Sequence, residues 1–184
     1  MSVQTRSQLA ASAATITTET AAGANTAARV GGLFDDLADT ATLDRERGVA
    51  NLYLDTQTSF TPTQGQAVKL TSAMKEGLLT TYNFTRTTTA ITYTGTTNAA
   101  LRVSASIALK QGNNDQIKVY IAKNGTIIPQ SMTDITITHS DAHSVTLEAI
   151  LQGAVNDEFT IYINAVSSPG AITISALNFT VHTL

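Results

Sequence analysis

The sequence of 184 residues contains no cysteine. Without thiols, the chain cannot form a disulfide scaffold, a thiolate metal site or a cysteine nucleophile. We therefore expect its stability to come from the burial of apolar side chains and from contacts between subunits.

Charge is also scarce: charged residues make up 14% of the sequence, and the formal net charge is −3. A typical soluble domain has about 25% charged residues. Without clusters of Lys and Arg, the chain lacks the electrostatic footprint that nucleic acid requires. The N-terminus has no secretory apolar segment, and no run approaches the ~18 apolar residues of a membrane span. We expect no nucleic-acid or membrane partner, and assembly in a cytoplasm.

What the chain has instead is threonine, with 32 residues, while aromatic residues make up only 5%. Threonine is β-branched and favours extended backbone. This composition is unusual for a metabolic enzyme. It predicts a β-rich protein that works within a larger assembly.

Residues 1–47 differ from the rest of the sequence. Residues 1–28 are mostly Ala, Thr, Ser and Gln, which bury too little apolar area to offset the entropy of ordering them. We expect this arm to be held by a partner. A short helix follows, in which apolar residues recur at helical spacing and form a candidate anchor: Val30, Leu33, Phe34 and Leu37.

From residue 48 onward the apolar period becomes two, which predicts strands. The alternation is clearest over residues 101–109 and 159–163, and Lys123–Thr126 has the composition of a hairpin turn. Other strands are predicted over residues 51–54, 66–70, 78–84 and 91–94. In the last strand the apolar parity shifts near Ser175 and Ala176, which predicts a β-bulge there.

Eight to ten short strands in about 135 residues predict an all-β fold, an antiparallel jelly-roll sandwich. An immunoglobulin domain would usually carry a buried Trp and a cysteine pair, and the sequence has neither. The predicted domains are therefore an arm with a short helix, residues 1–47, and a jelly roll, residues 48–184.

Four segments of the C-terminal half resemble the C1q/TNF-like jelly rolls, particularly those of phage fibre and head proteins. They are residues 119–126, 144–148, 156–163 and 177–182, and the likeness covers about residues 65–184. Asn156 stands where the family pattern has glycine. The resemblance implies a homotrimer, with the C-terminal strand near a threefold axis.

The N-terminal part is similar to the attachment regions of tailed-phage virion proteins, over residues 16–18 and 29–40. Together the resemblances imply a trimeric head-fibre or decoration protein in the virion, joined to capsid or tail by its N-terminal arm. A receptor-binding fibre tip that recognises a host surface glycan is the alternative. A third interpretation is a non-viral C1q-like ligand, but the absence of a signal peptide and of cysteines argues against it.

No catalytic constellation is recognisable in the sequence. It contains neither a G-x-S-x-G elbow nor a glycine-rich phosphate loop, and its helical Asp residues are best explained as a solvated face. His139, Asp141 and His143 could approach a metal, but a third strong ligand is not placed by the spacing. We therefore expect no enzyme activity, no cofactor and no metal.

The candidate interface residues come from strand alternation. In the last strand, Leu177, Phe179 and Val181 should fill the core. The opposite side of that strand and two outward tyrosines should face neighbouring subunits: Asn178, Thr180, His182, Tyr120 and Tyr162. Tyr82 and Tyr93, like these two tyrosines, fall on outward or ambiguous strand positions. Buried interface tyrosines are the favoured explanation, and sugar platforms are the other.

Overall fold

The structure is a computed structural model that describes residues 48–79, 83–138, 141–168 and 170–184, together with Gly32 and Phe34. The chain divides into two compact units, Met1–Arg47 and Gly48–Leu184. In the first unit, Gly32 and Phe34 are helical and exposed. The predicted arm, and the anchor residues Val30, Leu33 and Leu37, lie outside the described residues.

The second unit is built from antiparallel strands and one 3-10 turn, Pro129–Ser131. The strands in chain order are β1 (Val49–Leu54), β2 (Thr58–Phe60), β3 (Val68–Lys69), β4 (Lys75–Leu79), β5 (Phe84–Arg86), β6 (Ile91–Tyr93), β7 (Ala99–Gln111), β8 (Asp115–Lys123), β9 (Thr126–Ile127), β10 (Thr133–Ile137), β11 (His143–Gly153), β12 (Glu158–Ala165) and β13 (Ile172–Thr183).

Two sheets divide these strands between them. One, here called the β7 sheet, has the order β11-β7-β13-β1-β4, with β2 also paired to β13. The other, the β8 sheet, has the order β10-β8-β12-β6-β5, with β3 on β12 and β9 on β8. The chain crosses between the sheets at eight connections: β2–β3, β3–β4, β4–β5, β6–β7, β7–β8, β10–β11, β11–β12 and β12–β13. This arrangement confirms the predicted all-β, antiparallel jelly-roll sandwich.

The core lies between the two sheets because the inward positions of the long strands are apolar. On β7, Leu101, Val103, Ala105, Ile107 and Leu109 are all buried. The same alternation holds on β8 and β12, except that Ala122 and Thr160 are buried at outward positions. Each buried side chain of this size contributes about 1.5–3 kcal/mol relative to its exposed state. The outward positions are thereby left free to form the two outer faces of the sandwich.

The last strand contains the predicted bulge. Ile174 pairs with Leu109 and Ala176 pairs with Ala108, so Ser175 is an extra residue without its own partner on β7. The shift returns the apolar side chains that follow it to the core side of the sheet, and Leu177, Phe179 and Val181 are buried as predicted.

The predicted strand over residues 78–84 is wrong in its limits. Lys75, Glu76 and Gly77, expected to separate two strands, belong to β4, and Phe84 begins β5. β4 is an edge strand with a charged, exposed start, so it carries no apolar alternation that a sequence pattern could detect.

Candidate functional site

The outer face of the β7 sheet is lined mainly by uncharged side chains, and Lys75 and Lys110 lie at its margins, where they pair with Tyr53 and Thr173. Strand register sets them in four rows across β1, β13, β7 and β11. The rows are Val49–His182–Arg102–Ile150, Asn51–Thr180–Ser104–Glu148, Tyr53–Asn178–Ser106–Thr146 and Ala176–Ala108–Ser144. We call these residues the β7 face. Its two formal charges, Arg102 and Glu148, form an ion pair with 2.6 Å between Nη2 and Oε2.

A hydrogen-bonded cluster lies in the middle of the β7 face. Asn51 Nδ2 donates to Asn178 Oδ1 at 2.5 Å and to Thr180 Oγ1 at 3.1 Å. It also donates to the carbonyl of Phe179 at 3.1 Å. Gly77 packs on the same amide, since a Cβ at that position would collide with Asn51 Oδ1. The cluster fixes these polar side chains flat against the sheet.

The structure brings three of the five candidate interface residues together and separates the other two. Asn178, Thr180 and His182 lie side by side on the β7 face, as expected from their alternation with buried neighbours. Tyr120 and Tyr162 lie on the outer face of the other sheet. A subunit that packs on one side of the sandwich can therefore contact either the three β13 residues or the two tyrosines.

Tyr120 and Tyr162 are cross-strand neighbours, and Lys69 follows in the same row. We call this tyrosine row and the outward residues around it the β8 face. Lys69 Nζ bonds Glu158 Oε1 at 3.2 Å. Lys69 is opposite Tyr162, and Glu158 lies four positions before Tyr162 on β12. The ion pair therefore extends past Thr160, which lies between these two residues.

Two polar atoms of the β8 face are buried and have no hydrogen-bond partner among the described residues, Thr160 Oγ1 and Asn164 Oδ1. They lie two positions before and two positions after Tyr162 on β12. Thr160 is only 1% exposed. An unpaired buried hydroxyl is costly, but an external group could bond to either atom only if neighbouring side chains moved aside.

At one end of the sandwich a carboxylate joins two turns. Asp157, after β11, accepts from Ala154 N at 2.8 Å, from Asn124 Nδ2 at 2.7 Å and from Lys123 Nζ at 3.1 Å. Asn124 Oδ1 in turn accepts from Glu158 N at 2.8 Å. We call this group the Asp157 clamp. Burial alone would raise the pKa of Asp157, but these hydrogen bonds and the Lys123 charge outweigh burial and hold the pKa below its ordinary value.

The clamp joins two of the four segments that carry the family resemblance, residues 119–126 and 156–163. Asn124 has φ 51° and Asn156 has φ 70°, both in the left-handed region. Asn tolerates this region better than most residues with a side chain, so Asn156 can replace the glycine of the family pattern. Sequence alone suggested the two turns, but it gave no sign that Asp157 links them across 33 positions.

At the opposite end, Asp115 has a comparable role. It is buried and accepts from Ser167 N at 2.7 Å, Ser168 N at 3.1 Å and Gln116 N at 2.7 Å. The loop between β7 and β8 is thereby fastened to the loop that follows β12. Composition predicted a turn there and missed this carboxylate, because nothing in the spacing indicates a contact so distant in the chain.

Other candidate residues are distributed differently from expectation. His143 begins β11 opposite Leu109 instead of lying in a loop, and His139 and Tyr82 lie outside the described residues. Tyr93 is buried, with its hydroxyl donating to Thr97 O at 2.7 Å, so its placement on an outward position is wrong.

Among the described residues, no group of three or more His, Asp or Glu is arranged to hold a metal ion. No helix there is long and apolar enough to cross a membrane.

No family model and no curated protein matches this sequence. Solved structures do match the fold. Murine APRIL, a TNF-family protein, is 12% identical with a TM-score of 0.51, covering 75% of this chain and 99% of its own. The vertex protein P5 of phage PRD1 is 8% identical with a TM-score of 0.52, covering 74% of this chain and 96% of its own. The chain thus has a TNF-like jelly-roll fold, which also occurs in a phage structural protein.

Proposed function

We propose that this chain is a structural virion protein of a tailed bacteriophage, a homotrimeric head-fibre or decoration protein. Residues 48–184 would form the trimeric head, and residues 1–47 would attach it to the particle. The fold supports this, since a phage vertex protein has the same architecture. The segments that resemble phage attachment regions also precede the jelly roll in the expected order.

The composition of the β7 face carries the trimer proposal. The centres of protein interfaces are depleted in charged residues, because a charge that loses water without gaining a partner is costly. The only formal charges in the four rows neutralise one another, and the rest are small or uncharged side chains. Small side chains also let a second sheet or strand edge approach closely. We propose that Asn178, Thr180 and His182 meet neighbouring subunits here.

The attachment proposal rests on the first unit. Phe34, one of the four candidate anchor residues, is helical and 64% exposed. An exposed aromatic side chain is what a docking helix would offer to a partner. We propose that this helix and the preceding arm bind another virion protein, on either the capsid or the tail.

Two measurements test the proposal separately. Light scattering of the purified chain should give the mass of a homotrimer, and a monodisperse monomer at micromolar concentration would refute the trimer. A chain lacking residues 1–47 should remain folded and trimeric but should no longer join particles. Truncated protein that still assembles onto particles would contradict the attachment role. Electron microscopy of intact particles would then locate the protein.

The alternative, recognition of a host surface glycan, is favoured by one observation on the β8 face. Tyr120 and Tyr162 present a half-buried aromatic pair, and the unpartnered Thr160 and Asn164 atoms lie beside it. Sugar binding combines aromatic surfaces with directed hydrogen bonds. Tyr162→Ala should abolish adsorption to host cells under this alternative while leaving particle assembly intact. Unchanged adsorption would exclude this surface as the receptor site.

A further inference from the structure

The sequence contains a single Asn-Gly pair, Asn124–Gly125, at the tip of the β8–β9 hairpin. Asn124 has φ 51° and Gly125 has φ 76°, as a tight reversal between antiparallel strands requires. Both residues are exposed to solvent. The glycine leaves its own backbone N–H unshielded by a side chain. The pair is therefore accessible to an intramolecular reaction that consumes the asparagine amide.

That reaction is deamidation. The backbone nitrogen of Gly125 attacks Cγ of Asn124, a new N–C bond closes a five-membered imide, and the bond from Cγ to Nδ2 breaks. The Gly125 amide proton is lost to solvent, and Nδ2 leaves as ammonia after gaining a proton from solvent. Water then opens the imide to aspartate or isoaspartate, so the reaction requires only water as co-reactant.

The Asp157 clamp engages both polar atoms of the amide that would react. Asn124 Nδ2 donates to Asp157 Oδ1 at 2.7 Å, and Asn124 Oδ1 accepts from Glu158 N at 2.8 Å. Nδ2 leaves as ammonia, so its bond to Asp157 must break before the reaction can be completed. The Asp157 carboxylate is held in its ionised form by its donors, so it has no proton to give to the departing ammonia.

The product would be incompatible with the clamp. Deamidation replaces the Nδ2 donor by a carboxylate oxygen, which would face Asp157 across the same short distance. Two carboxylates so close repel one another, and one of them must take a proton or move away. An isoaspartate would also lengthen the backbone of the hairpin by one carbon. Modification at this one position would therefore remove the side-chain bond between the β8–β9 turn and the β11–β12 turn, leaving the backbone bond from Asn124 N to Glu158 O and the Lys123–Asp157 ion pair.

We infer that Asn124 is a site of spontaneous deamidation, that Asp157 sets its rate, and that conversion opens the clamp. The inference does not depend on the proposed function. If the chain is a virion protein, however, it persists in particles that cannot replace it, so a slow chemical change at a fold-stabilising turn would accumulate with age.

Mass spectrometry of peptides from the full chain, aged at mildly alkaline pH, tests the rate. Asp157→Ala should speed deamidation of Asn124 roughly tenfold or more, since it removes a charge-assisted hydrogen bond. Asp115→Ala is the matched control, because it removes the carboxylate that fastens the opposite end. Equal rates in the wild type and Asp157→Ala, or equal acceleration in both variants, would overturn the inference.

A second pair of variants tests the consequence and does not depend on Asp157→Ala folding well. Asn124→Asp should lower the midpoint of thermal unfolding, and addition of Asp157→Asn should restore much of it by reversing donor and acceptor. If Asn124→Asp is neutral, or if the double variant is no better than the single one, conversion does not open the clamp.

Discussion

The two outer faces of the sandwich follow the same strand alternation but differ in composition. The β7 face holds Ser, Thr, Asn and Ala, with Val49, Tyr53, Ile150 and His182, around one ion pair, whereas the β8 face holds two tyrosines and the pairs Lys69–Glu158 and Lys118–Asp134. A face whose charges are already paired beside solvent can remain exposed. A face nearly free of charge loses little on being covered. The difference favours the β7 face for the proposed subunit contact and the β8 face for the alternative, a receptor site.

The largest expected effect comes from the core that the faces share. Phe179 is fully buried on β13, between the outward residues Asn178 and Thr180. Phe179→Ala should cost ~3–5 kcal/mol of unfolding free energy, from lost burial and the cavity left behind. Denaturant titration measures it, and a loss below 1 kcal/mol would mean that the strand is misplaced.

A charge placed on each face compares them directly. Thr180→Asp would place carboxylates within the proposed subunit contact, where each unpaired charge costs several kcal/mol. Thr136→Asp is the matched control, the same substitution at an exposed position of β10. Light scattering should show dissociation for Thr180→Asp alone, with β-type circular dichroism in both. Dissociation by Thr136→Asp alone would reverse the assignment of the faces.

Acid should loosen the β8 sheet through Asp157. Its pKa is lowered in the folded state, so the ionised carboxylate contributes stability above the ordinary aspartate pKa, and this contribution is lost as the pH falls below about 4. Asp157→Asn should cost ~1–3 kcal/mol at neutral pH and reduce the acid sensitivity of unfolding. Urea midpoints for both proteins at neutral and acid pH measure this. If Asp157→Asn leaves the pH dependence of the urea midpoint unchanged, other carboxylates determine the acid sensitivity of unfolding.

The smallest effect tests the ion pair of the β7 face. Arg102 and Glu148 are partly exposed, and such pairs contribute about 0–1 kcal/mol. Glu148→Gln should therefore leave monomer stability nearly unchanged. It should weaken the trimer more than it destabilises the protomer, because it leaves Arg102 uncompensated within the contact. Equal small effects on both would mean that the pair remains outside the contact.

The long strands could be predicted from sequence because burial on one side imposes a period of two on their residues. β7, β12 and the faces of β13 follow from this alternation, and the parity shift predicted the bulge that Ser175 forms. The three candidate residues on β13 were found for the same reason, since their neighbours are core residues.

What the sequence could not show depends on pairings between distant segments. Asn51 bonds Asn178 and Thr180 across more than 120 positions, and Asp157 bonds Asn124 across 33. Tyr93 shares the parity of buried Ile91, but β6 has only three residues, so this alternation was too short to decide which way the ring points. The alternation predicted that the tyrosines of the β8 face point outward. It could not predict that they lie on the opposite side of the sandwich from the β13 residues, because this depends on which sheet each strand joins.

The extra residue at Ser175 lets β13 adjoin two different strands on one side, β2 along Ile172–Ile174 and β1 along Leu177–His182. The apolar residues before and after Ser175 have opposite parity in the sequence. The one extra residue places both sets on the core side of the sheet. Removal of that residue would invert one half relative to the other, so that either Ile172 and Ile174 or Leu177 and Phe179 would point to solvent. A one-residue deletion here would thus be more damaging than most substitutions, whereas the length of surface loops can change far more freely.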